Sequence, residues 1–150
     1  MKSTIRYMKE QDRPQILEMM RVFYASEAVF TNGSEEIFEA DITNCVNDSP
    51  YLEGYVFEGG DTIQGYAMLA KSFSTEFGKP CIWIEDIYVK EEYRKQGIMR
   101  ELEKMSNDFF KGLGIKYVEV CYLPENEGAK EAWNSMGYQC FREQARKCVE

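Results

Sequence analysis

Residues 81–123 constrain this chain more than any other stretch. CIWIEDIYV, residues 81–89, is its most strand-like run, rich in β-branched and aromatic residues. A polar, basic loop follows. From about Gln96 to Lys111, Ile98, Leu102, Met105, Phe109 and Phe110 then recur at helical spacing. Gly112 and Gly114 stop that helix, and KYVEVCYL, residues 116–123, reads as a strand again. Strand, helix and strand in this order make a β–α–β unit with parallel strands.

The residues before it read differently. STIRYM, residues 3–8, alternates like a strand. Asp12 is placed as an N-cap, with Pro14 in the first turn and Gln15 at the third helical position. Ile16, Leu17, Met20 and Phe23 or Tyr24 carry that helix to about Ala25. Ser34 is positioned to cap a second helix bearing Ile37, Phe38 and Ile42, which Asp48-Ser49-Pro50 ends. Residues 51–58 and 62–73 read as strands joined by a Gly59-Gly60-Asp61 hairpin turn, with another turn at 77–80. Pro124-Glu125-Asn126 leads into a short helix with Ala129, Ala132, Trp133 and Met136. Gly137 ends it, and Tyr138 opens a last strand or hairpin. An antiparallel meander feeding a β–α–β unit predicts a mixed sheet and an α/β (α+β) fold. At 150 residues and 44% hydrophobic content, residues 1–150 suit one domain.

Composition narrows the chemistry. There is no histidine, which excludes Ser-His-Asp and Cys-His catalysis and His-ligated metals. A general base must be a carboxylate, Lys, Tyr, Cys or water. The five cysteines include no CxxC, so the reading is free thiols in a reducing cytoplasm with no metal site. No apolar run approaches the roughly 18 residues of a membrane span, and the polar N-terminus is unlike a signal peptide. The net charge of −8 is uneven: no base lies between Arg21 and Lys71, a span holding nine of the 26 acids. Such a surface repels nucleic acid and favours a cationic partner, although a merely solvated acidic surface fits it equally.

Two features point to a site. The strand at 81–89 carries Glu85 and Asp86. Simple alternation puts Trp83, Glu85, Ile87 and Val89 on one face and Ile84, Asp86 and Tyr88 on the other. A carboxylate on an apolar strand is costly unless it is hydrated, paired or functional. Burial raises its pKa, which suits a general base near neutral pH. The loop RKQGIM then meets a helix start, where unpaired N–H groups and the helix dipole favour anions. Arg94, Lys95 and Arg100 surround that point, and Gly97 leaves the backbone open to a close approach. A plain helix start remains the alternative.

IEDIYVKEEYRKQGIMREL resembles the signature region of the GNAT superfamily of acyl-CoA N-acyltransferases, whose motif R/Q-x-x-G-x-G/A opens a helix after such a strand. VEVCYLPENEGAKEAWNSMGY is similar to that fold's fifth strand, fourth helix and terminal Gly-aromatic pair. With STIRYMKEQDRPQIL the resemblance covers essentially the whole chain, and the IED run is most similar to the spermidine/spermine and diamine acetyltransferase branch.

The resemblance implies a single-domain fold with a mixed sheet of six to seven strands flanked by about four helices. It implies acetyl-CoA as co-substrate, held where two parallel strands splay apart. Backbone groups of Ile87, Tyr88 and Val89 would pair with the pantetheine arm. Arg94, Lys95, Gln96, Gly97, Ile98, Met99 and Arg100 would form the pyrophosphate cradle, and Asn126 and Trp133 would meet the cofactor arm. Glu85 matches the position of the general base, and Tyr24 and Glu27 are read as acceptor contacts. The implied acceptor is a primary amine, in particular a small cationic one, with no nucleic-acid or membrane partner; members are often homodimers.

Two departures stand out. Met99 replaces the usual Gly or Ala. Trp133 replaces a Tyr that donates a proton to the leaving thiolate, with Tyr122 and Tyr138 as substitutes. These features keep a catalytically impaired acyl-CoA-binding or sensing domain in view. A transferase acting on a protein amine and an interaction module are further readings.

Overall fold

The computed structural model describes residues 3–150. A strand β1 (Thr4–Tyr7) leads through a single 3₁₀ turn into α1 (Arg13–Tyr24), followed by α2 (Glu35–Val46). Three long strands follow: β2 (Leu52–Gly59), β3 (Thr62–Ser74) and β4 (Lys79–Val89). A second 3₁₀ turn at Glu91–Tyr93 precedes α3 (Ile98–Gly112), then β5 (Val118–Val120) and α4 (Glu127–Ser135). The sheet order is β1-β2-β3-β4-β5, antiparallel throughout except for the parallel pair β4–β5. The mixed sheet and the four α-helices match expectation.

The strand count does not. Among the described residues the sheet has five strands rather than six to seven, because the chain from Tyr138 onward has no regular structure. FREQARKCVE, the last ten residues, is wholly exposed and lacks the apolar alternation that would seat it on a sheet face. β5 is also shorter than the expected 116–123, and α3 begins at Ile98 rather than Gln96.

Local chemistry explains the N-terminal elements. The Ser34 hydroxyl accepts from Ile37 N at 3.2 Å and caps α2. Pro14 sits in the first turn of α1, but Asp12 does not cap it. Its carboxylate instead accepts both arms of the Arg6 guanidinium, at 2.8 and 2.9 Å, and the Lys9 N–H at 2.8 Å. Arg6 also reaches Glu58 at 3.1 Å, so one fork ties β1, the turn before α1 and β2 together. The expected cap is lost to a stronger, charge-assisted partner.

The core lies on both faces of the sheet. On one face Ile16, Met20 and Ile42 of α1 and α2 pack on Val56, Tyr66, Met68 and Tyr88. On the other Leu102 and Phe110 of α3 pack on Tyr55, Phe57, Ala67, Leu69 and Ile82. Among the described residues no helix is long and apolar enough to cross a membrane.

Candidate active site

β4 does not alternate simply. Its register with β3 pairs Ile84 with Leu69 and Asp86 with Met68, leaving Glu85 as the extra residue of a β-bulge. The bulge resets the parity of the strand. Ile84 and Ile87, three positions apart, both pack on the α3 side, while Asp86 and Tyr88 face α1 and α2. The expected sets of Trp83, Glu85, Ile87 and Val89 against Ile84, Asp86 and Tyr88 are therefore wrong. Glu85 and Asp86 instead line the same cleft.

That cleft, about 380 Å³, is bounded by Tyr24 and Asp41 of the helices, by Tyr51 at the foot of β2, and by Glu85 and Asp86. It brings together three carboxylates, and none of its lining residues is basic. Asp86 is 5% exposed and takes a hydrogen bond on each oxygen, from the Tyr24 hydroxyl at 2.8 Å and the Tyr66 hydroxyl at 3.0 Å. Burial pushes its pKa up to about 6, against the two donated bonds and with help from Asp41 and Glu85. Asp41 is likewise raised, by burial and then by Glu85. Burial, with Asp86 next, keeps the Tyr24 hydroxyl protonated far above its usual range. The carboxylate whose burial the sequence anticipates is thus Asp86, while Glu85 stands exposed at the bulge.

The other edge of β4 opens beside it. β5 pairs only with Ile82, Trp83 and Ile84. From Glu85 to Val89 the two parallel strands part, as the splay requires. Lys90 N donates to Gln64 O at 2.9 Å, so 90 and 64 form a bonded antiparallel pair. Bonding alternates along such a pair, so the backbone of Tyr88 faces β3, and those of Ile87 and Val89 face the opening. Of the three residues expected to offer backbone groups there, Ile87 and Val89 turn theirs to the opening and Tyr88 turns its own toward β3.

At the end of the opening, Gly97 (φ +77°) starts α3. The first helical bond is Glu101 N to Gly97 O at 3.1 Å, so the N–H groups of Ile98, Met99 and Arg100 precede the ladder. A Cβ at Gly97 would meet nothing; the glycine is there for its left-handed backbone. The Met99 side chain turns into the α3-side core, clear of these amides. Trp133, 8% exposed, lines the small internal gap beneath α3 with Ile87 and Met99 and packs edge-on against Tyr138 at 5.0 Å. Asn126 caps α4, its Oδ1 accepting from Ala129 N at 3.0 Å. A wider opening, about 850 Å³, lies elsewhere, between β5, the second half of α3 and the terminal segment. Neither the bulge nor the start of α3 lines it.

A mixed sheet whose parallel pair splays beside a glycine-initiated helix is a known family architecture, and a family model decides the matter. The model described as the acetyltransferase (GNAT) family matches residues 15–138. The chain belongs to that family. Among its relatives, the thialysine N-epsilon-acetyltransferase of Bos taurus is 30% identical over 157 residues, covering 92% of this chain and 90% of the relative. That of Mus musculus is 28% identical, covering 93% and 85%. Among solved structures, a possible acetyltransferase from Clostridium difficile 630 superposes with a TM-score of 0.86 at 20% identity, covering 100% and 99% of the two chains. AAC(6')-Iy in complex with the bisubstrate analog CoA-S-monomethyl-acetylneamine gives 0.75 at 14%, covering 99% and 100%. The protein is an acetyl-CoA-dependent N-acetyltransferase of the GNAT family.

Within this GNAT domain the expected site residues do not all fall together. Glu85, Ile87, Val89, Gly97, Ile98, Met99, Arg100 and Tyr24 surround the opening and the cleft. Glu27 lies exposed on the α1–α2 connection, outside the cleft lining. Sequence reasoning missed Asp41 and Tyr66. Asp41 was legible in one respect: it adjoins Ile42, whose burial fixes the face of α2.

Proposed function

We propose that this N-acetyltransferase acetylates a small cationic primary amine, with Glu85 as general base. The observation that carries this reading is the position of Glu85. It sits on the bulge where β4–β5 pairing has just ended and the acidic cleft begins, between the two spaces a transferase must join. On this reading acetyl-CoA lies along the open edge, its pantetheine arm pairing with backbone groups of Ile87 and Val89. Its pyrophosphate meets the first amides of α3, where a helix start favours anions. The Nδ2 group of Asn126, not used in the helix cap, is free to meet the arm.

The amine enters through the cleft of Tyr24, Asp41, Glu85 and Asp86, whose carboxylates favour an ammonium over a neutral or anionic molecule. Glu85 takes the proton from the ammonium, directly or through water. The neutral amine then attacks the thioester carbonyl, the C–S bond breaks, CoA leaves as thiolate, and the nitrogen gives its remaining excess proton to that thiolate directly or through water. Thiolate is a good leaving group near neutral pH, so burial of Trp133 in place of a proton donor does not block the step. Relatives named for acetylating thialysine at an Nε amine support a small amine acceptor.

Thiol release from acetyl-CoA across an amine panel tests this. The panel holds thialysine, lysine, a short diamine, an amino sugar, a lysine peptide and a neutral monoamine mimic. The highest kcat/KM is expected for a small cationic amine. Turnover with the peptide alone, or none with any amine, would sink the proposal.

A further inference from the structure

Arg94 opens the basic loop before α3, and its side chain reaches back to the end of β4. Its Nε donates to Val89 O at 2.7 Å, and its guanidinium carbon lies 5.3 Å from the centre of the Tyr88 ring. Val89 is one of the two residues whose backbone faces the opening, so this carbonyl is among those a strand-like ligand could use. Arg94 already holds it. A second strap follows, from Gln96 Nε2 to Glu92 O at 2.9 Å. Between and after the straps, Lys95 (φ +58°) and Gly97 (φ +77°) take left-handed conformations. For Lys95, which has a Cβ, that conformation costs energy and persists only because its surroundings impose it. The loop is thus drawn back onto the end of β4.

We propose that Arg94 is a positioning residue and not a phosphate ligand. Its N–H on the Val89 carbonyl fixes the spacing between the open strand edge and the first amides of α3. It also occupies the last acceptor on that edge. A strand-like arm therefore ends its backbone pairing at Val89 N–H, and its phosphates pass on to the loop. The guanidinium suits this double task, since its Nε bonds the carbonyl while its charge sits over the Tyr88 ring. The assignment rests on the acetyl-CoA placement proposed above.

The test compares Arg94→Ala and Arg94→Gln with the wild type. Acetyl-CoA affinity is read by calorimetry and by KM, alongside kcat, acceptor KM and Tm. Each is measured at about 0.01 and 0.1 M salt, where the screening length falls from about 30 to about 10 Å. Losing a hydrogen bond from a charged donor should weaken acetyl-CoA about tenfold in Arg94→Ala. That factor should be the same at both salt concentrations, with kcat and acceptor KM unmoved. Arg94→Gln should recover affinity to within about threefold of wild type, because an amide N–H reaches the carbonyl without a charge. A glutamine variant as weak as the alanine one, with both deficits shrinking at the higher salt, would make Arg94 a phosphate ligand. An alanine variant with wild-type affinity would leave it no role. A fall in Tm that moves both KM values together would make it merely structural. Absence of acetyl-CoA binding by the wild type would overturn the underlying placement itself, an outcome distinct from the other three.

Discussion

β4 has two unlike edges. Toward β3 it is paired from Lys79 to Val89, with Glu85 alone left out. Toward β5 it is paired over three residues and then stands open. The closed edge buries Tyr66 and Met68 and holds Asp86 between two tyrosines. The open edge presents backbone groups and leads to the start of α3. One strand therefore serves stability through one side and ligand binding through the other, and substitutions on the two sides should fail in different ways.

The largest effect is expected on the open side. Glu85→Gln should lower kcat/KM at neutral pH by about 10² to 10⁴, with acetyl-CoA affinity kept. Full transfer with an unchanged rise in rate as pH increases would remove Glu85 from the chemistry. On the closed side, Gly65→Ala would drive a Cβ into the Tyr88 carbonyl and the Phe57 ring. Because backbone cannot swing aside like a side chain, a loss of about 3 kcal/mol in denaturant unfolding is expected. A neutral result would show that β3 and β4 can spread.

A crossed pair sharpens the contrast at the start of α3. Met99→Gly removes a side chain packed in the α3-side core and should cost about 2 kcal/mol of stability while acetyl-CoA affinity holds. Gly97→Val sits in open space, but at φ +77° it strains the loop by about 1–2 kcal/mol. Its loss should appear mainly as weaker acetyl-CoA binding, about tenfold. Equal losses of affinity in the two variants would mean the loop does not approach the phosphates.

The last effect concerns pH. Asp86 titrates near 6 in the folded chain against about 3.9 unfolded. The folded state thus binds its proton more tightly, so the associated stability is present below about pH 4 and is lost as pH rises through 6. Asp86→Asn should flatten the stability profile across that window, by up to about 3 kcal/mol. An unchanged profile would place the titration elsewhere.

Much of this was legible in the sequence because it is local. Ser34 as a cap, Gly60-Asp61 as a hairpin turn, and Gly97 before a helix each depend on residues within a few positions. The apolar spacing of α3 and the order of the first four strands were readable for the same reason. The bulge at Glu85 was not, because it exists only in the register between β4 and a strand some 16 residues earlier. Asp12 failed as a cap through a partner 52 residues from its own partner's other ligand: Arg6 joins it to Glu58. Glu27 was chosen for its charge near the end of α1, whereas cleft membership went to Asp41 through the orientation of α2. The terminal strand was expected to open at Tyr138 once Gly137 ended the helix, but the polar tail beyond it lacks the apolar alternation to seat it on the sheet.

The bulge has one more consequence, and it concerns length rather than identity. A strand has a reading frame of two, and Glu85 is a single inserted beat in it. Shortening β4 by that one residue would carry every position before it to the opposite face relative to those after it. Either Ile82 and Ile84 would leave the α3-side core, or Asp86 would be thrust into it. A lineage carrying this strand can rarely lose the position, because the bulge holds the frame on both sides of it.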